Sequence, residues 1–224
     1  MLNDTRTREN SLLQGYNMML YFAGTMIMYE PSEECIIDFW NQGILKNLPV
    51  CSSNPVYLRA ASQLKESCTD RLSTTHAMAE DYYRLFSRKE MPFAPLNESF
   101  YSKNSTGNSN VTEFYDSYGW TIDLRKEIND DHLGVELLFL TKLIEKFTEL
   151  DDDACNREMK NEIKRFIENH LLSWVPEWHK KVQHNSLTLS YKGISSLIYA
   201  SIEDLYNIFS DKKRGETTHN ILKN

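Results

Sequence analysis

An acid and a histidine stand side by side at Asp131-His132, and Glu136 follows one helical turn later in the run DDHLGVELLFLTKLIEKF. Residues of these types at this spacing suit several chemistries. A carboxylate beside an imidazole can move a proton. Asp131, His132 and Glu136 together offer three metal ligands, the set a small helical metal-dependent hydrolase would use. A plainer reading makes Asp130 or Asp131 the helix N-cap, with His132 in the first turn and a His132–Glu136 pair on one face. The rest of the chain narrows the choice. It has no Gly-x-Ser-x-Gly elbow or Cys-His signature to supply a nucleophile, and no second local cluster to complete a metal shell. Neither phosphate-loop pattern occurs. Catalytic residues, cofactor and metal are all expected to be none.

Two other segments stand out. Residues 81–101 read DYYRLFSRKEMPFAPLNESFY. Tyr82, Leu85 and Phe86 share a helix face there, and Pro92 and Pro95 then forbid a continuous helix. The segment reads as core packing with a rigid loop, or as a rigid apolar wall for an incoming peptide, since aromatics and prolines lose little entropy on binding. Residues 166–182 read FIENHLLSWVPEWHKKV, with Trp174 one turn beyond His170. A buried Trp–His contact is expected to account for both.

Helices must position these segments, because almost every apolar stretch has three- and four-residue spacing. Leu12, Tyr16, Met19, Leu20, Ala23 and Ile27 predict a buried amphipathic first helix. Gln14, Asn17 and Thr25 interrupt that run and Glu30-Pro31 closes it, which suits neither a membrane span nor a cleavable leader. A second helix carries Cys35, Ile36, Phe39 and Trp40, a third Leu58, Ala61 and Leu64, and a fourth spans 72–86. Further helices are expected over 111–120 and 131–150. The next is headed by Asp151-Asp152-Asp153, whose charge offsets its dipole. It runs through His170 and Trp174 until Pro176 ends or kinks it. A last helix covers 191–209. The expectation is an all-α, single helical domain over 1–210 with roughly eight to ten helices, an exposed mobile loop near 102–110 and a polar tail over 211–224.

A net charge of −7 lacks the basic face that nucleic acid requires. The four cysteines, Cys35, Cys51, Cys68 and Cys155, include no C-x-x-C pair. They fit a reducing compartment in which thiols act as small buried hydrophobes, and the expected location is cytoplasmic.

Taken in order, the three segments resemble the TorD/DmsD (NarJ-like) family of cytoplasmic chaperones for molybdenum-containing reductases. Tyr82, Leu85, Phe86, Pro92, Pro95, Glu98, Ser99 and Tyr101 match that family's aromatic-x-x-Leu-Phe turn, proline loop and Glu-Ser-x-Tyr ending. Asp131 and His132 match its Asp-His-Leu/Ile motif, and His170-Leu171-x-x-Trp174-x-Pro176 is the third match. The chain departs at Ser87-Arg88, Asn97 and Asp130, where the family usually has Gly-Pro, an aromatic residue and a proline. The resemblance implies a TorD-like fold and binding rather than turnover. The implied partner is the apo catalytic subunit of a molybdopterin-containing oxidoreductase, and its twin-arginine signal peptide, held before cofactor insertion and export. Tyr82, Leu85, Phe86 and Pro95 would take the hydrophobic stretch. Asp131, with Asp130 and Glu98, would accept forked hydrogen bonds from the arginines, with His132 beside them. An alternative within the same resemblance is a NarJ-like assembly factor that binds the apo-enzyme without reading a signal. No stable membrane insertion is implied, and the loop near 102–110 leaves both a monomer and a domain-swapped dimer open.

Overall fold

The computed structural model describes residues 2–32, 34, 47–67, 71–101, 111–121 and 128–210. The expected helix with Ile36, Phe39 and Trp40, the loop near 102–110, the tail over 211–224, Cys35 and Cys68 lie outside the described residues. Within them the chain is all-α. Its helices are α1 Leu2–Met28, α2 Pro55–Ser67, α3 Arg71–Tyr82, α4 Val111–Ser117, α5 Leu133–Glu149, α6 Asp153–Phe166, α7 Val175–Asn185 and α8 Leu189–Phe209. Two of them, α3 and α6, run on into single π-helical turns, Tyr83–Ser87 and Ile167–Leu171. Such turns cost hydrogen-bond geometry and recur at functional sites. Among the described residues there is no strand, and one isolated antiparallel bridge joins Asn97 to His132.

The apolar stripe of α8, which includes Ile194, Leu197, Ile198, Ile202 and Leu205, is buried and packs against α1, α2 and α7. The first helix lies on α5, with Leu13, Tyr16, Met19, Leu20, Ala23 and Ile27 buried. Among the described residues no helix is long and apolar enough to cross a membrane. Gly134 lets α1 and α5 meet closely, because a Cβ there would fall 2.0 Å from the Met28 side chain. One hydrophobic cluster draws residues from all eight helices.

Two local expectations change. Pro176 opens α7 from its first turn instead of ending α6, since the π turn and the bend at 172–174 have already stopped that helix. Cys51 and Cys155 are exposed and not buried hydrophobes, one in the loop before α2 and the other in the polar first turn of α6. At the end of α3, Asp81 is wholly buried and binds the α7–α8 connection. Its carboxylate accepts hydrogen bonds from Ser186 Oγ (2.7 Å), Leu187 N (3.0 Å), Thr188 N (2.9 Å) and Thr188 Oγ1 (2.8 Å).

Candidate functional site

The proline segment cannot be helical, so its backbone groups must find partners elsewhere. On one side Phe93 N and Ala94 N donate to the Arg84 and Leu85 carbonyls freed by the π turn, at 3.3 and 2.9 Å. On the other side Leu133 N donates to Leu96 O (2.7 Å) and Glu98 N to Asp131 O (2.9 Å). The segment is thereby sewn between the end of α3 and the start of α5. Asp131 secures this join with its side chain, since Oδ1 accepts from Asn97 Nδ2 at 2.8 Å and Oδ2 from Ser99 N at 3.1 Å. Asp130 is exposed, takes a hydrogen bond from Thr112 Oγ1, and its carbonyl holds the Tyr115 hydroxyl at 2.9 Å.

His132, and neither aspartate, is the N-cap of α5: its Nδ1 accepts from Gly134 N at 3.0 Å. That role requires a neutral ring nitrogen. Burial pushes the imidazole down to about 4, and the Asp131 charge only partly opposes the shift. The expected His132–Glu136 pair is absent because the imidazole turns to the backbone.

Beneath the join lies a buried polar cluster. Glu98 Oε2 and His170 Nδ1 are 3.1 Å apart, and Trp174 Nε1 donates to the His170 carbonyl. The buried Trp–His contact expected from sequence is therefore present. Tyr101 is near-parallel to Trp174 at 5.1 Å and donates to the Pro95 carbonyl. Glu136 is 0% exposed, and neither of its carboxyl oxygens has a hydrogen-bond partner. Its carboxyl is raised well above the usual range, first by burial and then by the Glu98 and Asp131 charges. Trp174 eases this only slightly, since its N–H is committed to His170. Tyr115 is likewise pushed up by burial and by Glu136. Asp131, His132 and Glu136 do not converge on a point, and no group of three acidic, histidine or cysteine side chains among the described residues could hold a metal ion.

The apolar residues divide into two sets. Leu85 is 0% exposed and Phe86 9%; Phe86 lies against Trp178 and Tyr191, and Tyr82 packs edge-on to Phe86 at 5.5 Å. The wall expected from Tyr82, Leu85 and Phe86 therefore lies under the surface, because their helix face meets α7 and α8. Pro95 is buried too, whereas Ser99 is exposed and Pro92 half-buried. The exposed apolar surface comes instead from Tyr83, Met91, Phe93 and Phe100. Met91, Pro92 and Phe93 line an open cleft of about 430 Å³ with Arg88, Glu90, Lys181 and Asn185. Arg84 and Arg88 both lie over the Phe93 ring, and Lys181 lies over Tyr101 at 4.4 Å.

Sequence reasoning assigned no binding role to Phe93, Met91 or Asn97, and it gave Glu136 a metal-ligand role or a pairing with His132. A lone acid inside the apolar run LGVELLF was the available signal for Glu136, since an acid there is rarely buried without reason.

A family model described as nitrate reductase delta subunit matches residues 55–180, a span that contains the proline segment, the Asp131-His132 join and the buried cluster beneath it. The chaperone protein TorD of Vibrio parahaemolyticus serotype O3:K6 (strain RIMD 2210633) is 25% identical over 139 residues, 58% of this chain and 63% of that protein. The match thus spans less than two thirds of the relative's length.

Proposed function

The chain belongs to the nitrate reductase delta subunit family, the NarJ/TorD-type chaperones, and we propose that it is a cytoplasmic maturation chaperone for a molybdopterin-containing oxidoreductase. It binds the twin-arginine signal peptide of the apo catalytic subunit and holds that subunit until its cofactor is inserted. The work is done by binding, not by turnover.

One observation carries this reading: a single rigid segment bears an exposed apolar end and an acidic end. Met91 and Phe93 face solvent at one end, and Asn97–Ser99 is hydrogen-bonded to Asp131 beside exposed Asp130 at the other. A peptide with two arginines followed by an apolar stretch matches that polarity. Tyr82, Leu85, Phe86 and Pro95 support the segment from below, while Pro92, Phe93 and Met91 make the apolar contact. A micromolar complex needs about −8 kcal/mol, which a few apolar side chains and one or two charge pairs can supply after ordering costs.

A second reading, a NarJ-like factor that grips the body of the apo-enzyme, is favoured by one feature. Both carboxylate oxygens of Asp131 already accept hydrogen bonds from the chain itself. Calorimetric titration with a peptide carrying two adjacent arginines and an apolar stretch separates the two. The signal-reading function predicts micromolar binding that falls at least tenfold when both arginines become glutamine. Equal affinity for the two peptides, or none for either, favours the assembly factor.

A further inference from the structure

On a chain of net charge −7, the open cleft beside Met91, Pro92 and Phe93 has a cation on each wall. Arg88 stands on the side of the proline segment, and Lys181 comes from α7 together with Asn185. The Phe93 ring between them carries the guanidiniums of Arg84 and Arg88, 5.3 and 5.6 Å from its centroid. Neither wall cation is firmly spent inside the chain. Arg88 meets Glu90 at 3.3 Å and Lys181 meets Glu177 at 3.9 Å, and both acids are more than half exposed. A well-formed charge-assisted bond is nearer about 2.7–2.9 Å. Elsewhere on the surface the chain reaches 2.6 Å at Arg165–Glu162 and 2.7 Å at Lys142–Glu145. Arg84 is no better matched, because the Asp81 carboxylate 3.4 Å away already accepts four shorter hydrogen bonds. Exposed pairs this loose contribute little, so an entering anion displaces them easily.

We propose that this cleft reads an acidic side chain of the bound peptide, with Arg88 and Lys181 taking its carboxylate while its apolar neighbours lie on Met91 and Phe93. The inference rests on the peptide-binding reading above and adds a third specificity element to it. Charge complementarity selects the occupant. An apolar segment without an acid covers Met91 and Phe93 but leaves the two cations facing each other across it. A carboxylate between them accepts from both, and the Arg88 guanidinium offers the paired donors that suit a carboxylate. The order along the segment gives the acid its place. Arg84 and Arg88 come first, Met91 to Phe93 next, and Asn97 to Ser99, bonded to Asp131, last. A partner that sets its arginines beside Asp130 and Asp131 and its apolar stretch on Phe93 therefore brings whatever follows that stretch to Arg88 and Lys181.

The test is titration calorimetry of the full chain with two peptides. Each carries two adjacent arginines and then an apolar stretch, closed by glutamate in one and by glutamine in the other. Glutamate is expected to tighten binding about three- to tenfold at low salt. That advantage should shrink at high salt, because both cations are partly exposed. In Arg88→Gln with Lys181→Gln the two peptides are expected to bind alike. The comparison on the unmodified chain needs no variant, so it stands even if the double substitution folds poorly. Equal affinities there overturn this inference and leave the proposed function standing. An advantage that survives in the double variant also overturns it, since the acid is then read elsewhere. So does a free chain that sediments as a dimer only while Arg88 and Lys181 are present, because a second copy then fills the cleft. Binding of neither peptide overturns both readings.

Discussion

His170 Nδ1 lies 3.1 Å from Glu98 Oε2, and both side chains are buried, so the turn that ends the proline segment is fastened to the π turn after α6. Seventy-two residues separate the partners in sequence. A contact of this kind in a low-dielectric site couples its two ends strongly. Glu98→Ala and His170→Ala are expected to destabilise by less together than the sum of the single changes, with a coupling of about 1–3 kcal/mol. A double-mutant cycle in urea measures it. Hydrogen exchange at the Ser99 and Tyr101 amides should accelerate in both single variants, and unchanged exchange would remove the fastening role.

Asp81 does comparable work at the opposite end of the same segment. Its carboxylate holds the Ser186 hydroxyl, two backbone amides and the Thr188 hydroxyl, and Thr188 in turn caps α8 by accepting from Tyr191 N. Asp81→Ala removes the shared acceptor, leaving Ser186 Oγ and Thr188 N only their contacts within the turn and the Thr188 hydroxyl without this partner, and is expected to cost about 3 kcal/mol. Asp81→Asn keeps one acceptor oxygen and should cost roughly half as much by the same reasoning. Equilibrium urea unfolding reads both values, and a loss below 1 kcal/mol for alanine would contradict the network.

Acid should weaken the fold through two histidines. His132 and His179 are both lowered to about 4 by burial, with the Arg59 charge adding to the effect at His179. A depressed folded value means that the unfolded chain takes up the proton first. The stabilisation is therefore complete above the ordinary imidazole range, near 6.5, and disappears as pH falls towards 4. Each shift corresponds to roughly 3 kcal/mol. His132→Asn retains an N-cap acceptor and removes one of the two titrations. Its melting temperature should drop less than that of the unmodified chain between pH 7 and pH 4.5. Parallel curves would show that His132 does not titrate on unfolding.

The sequence was most readable where a side chain's partners lie within one turn. The stripes of α1, α5 and α8 and the Trp174–His170 contact all follow from spacing of three or four. The direction of the α3 face was not readable in this way. Tyr82, Leu85 and Phe86 have equal claims to core and surface until α7 brings Trp178 against Phe86. The hydrogen bonds of Asp131 to Asn97 and Ser99 span more than thirty residues, and no local pattern encodes them. Hence the acidic motif could be found from sequence, but the partners its side chain holds could not.

That division of the apolar residues is itself testable. Met91 is 65% exposed and Phe93 37%, whereas Leu85 has no exposed surface. Phe93→Ala with Met91→Ala should weaken the twin-arginine peptide about ten- to thirtyfold, the value of about one fully buried apolar side chain, since each of the two is only partly covered. Their unfolding midpoint should hardly move. Leu85→Ala should do the reverse, costing about 2–5 kcal/mol of stability through an internal cavity. If the exposed pair left binding untouched, the cleft would not be the apolar subsite.

Glu136 supplies the last test, one that needs no ligand. A group whose folded value is raised gives stability that is fully present below the ordinary carboxyl range and is lost as pH climbs through the folded value. In the free chain, then, Glu136 becomes steadily more costly from mildly acidic to alkaline pH, since burial and the Glu98 and Asp131 charges oppose its ionisation. Methionine has similar length, needs no hydrogen bond and adapts to irregular space. Glu136→Met should therefore stabilise the chain by about 1–3 kcal/mol at neutral pH, the cost of an unsatisfied buried polar group. The gain should be larger at pH 8 than at pH 5. Lower stability at every pH would instead mean that the carboxyl holds a structural contact.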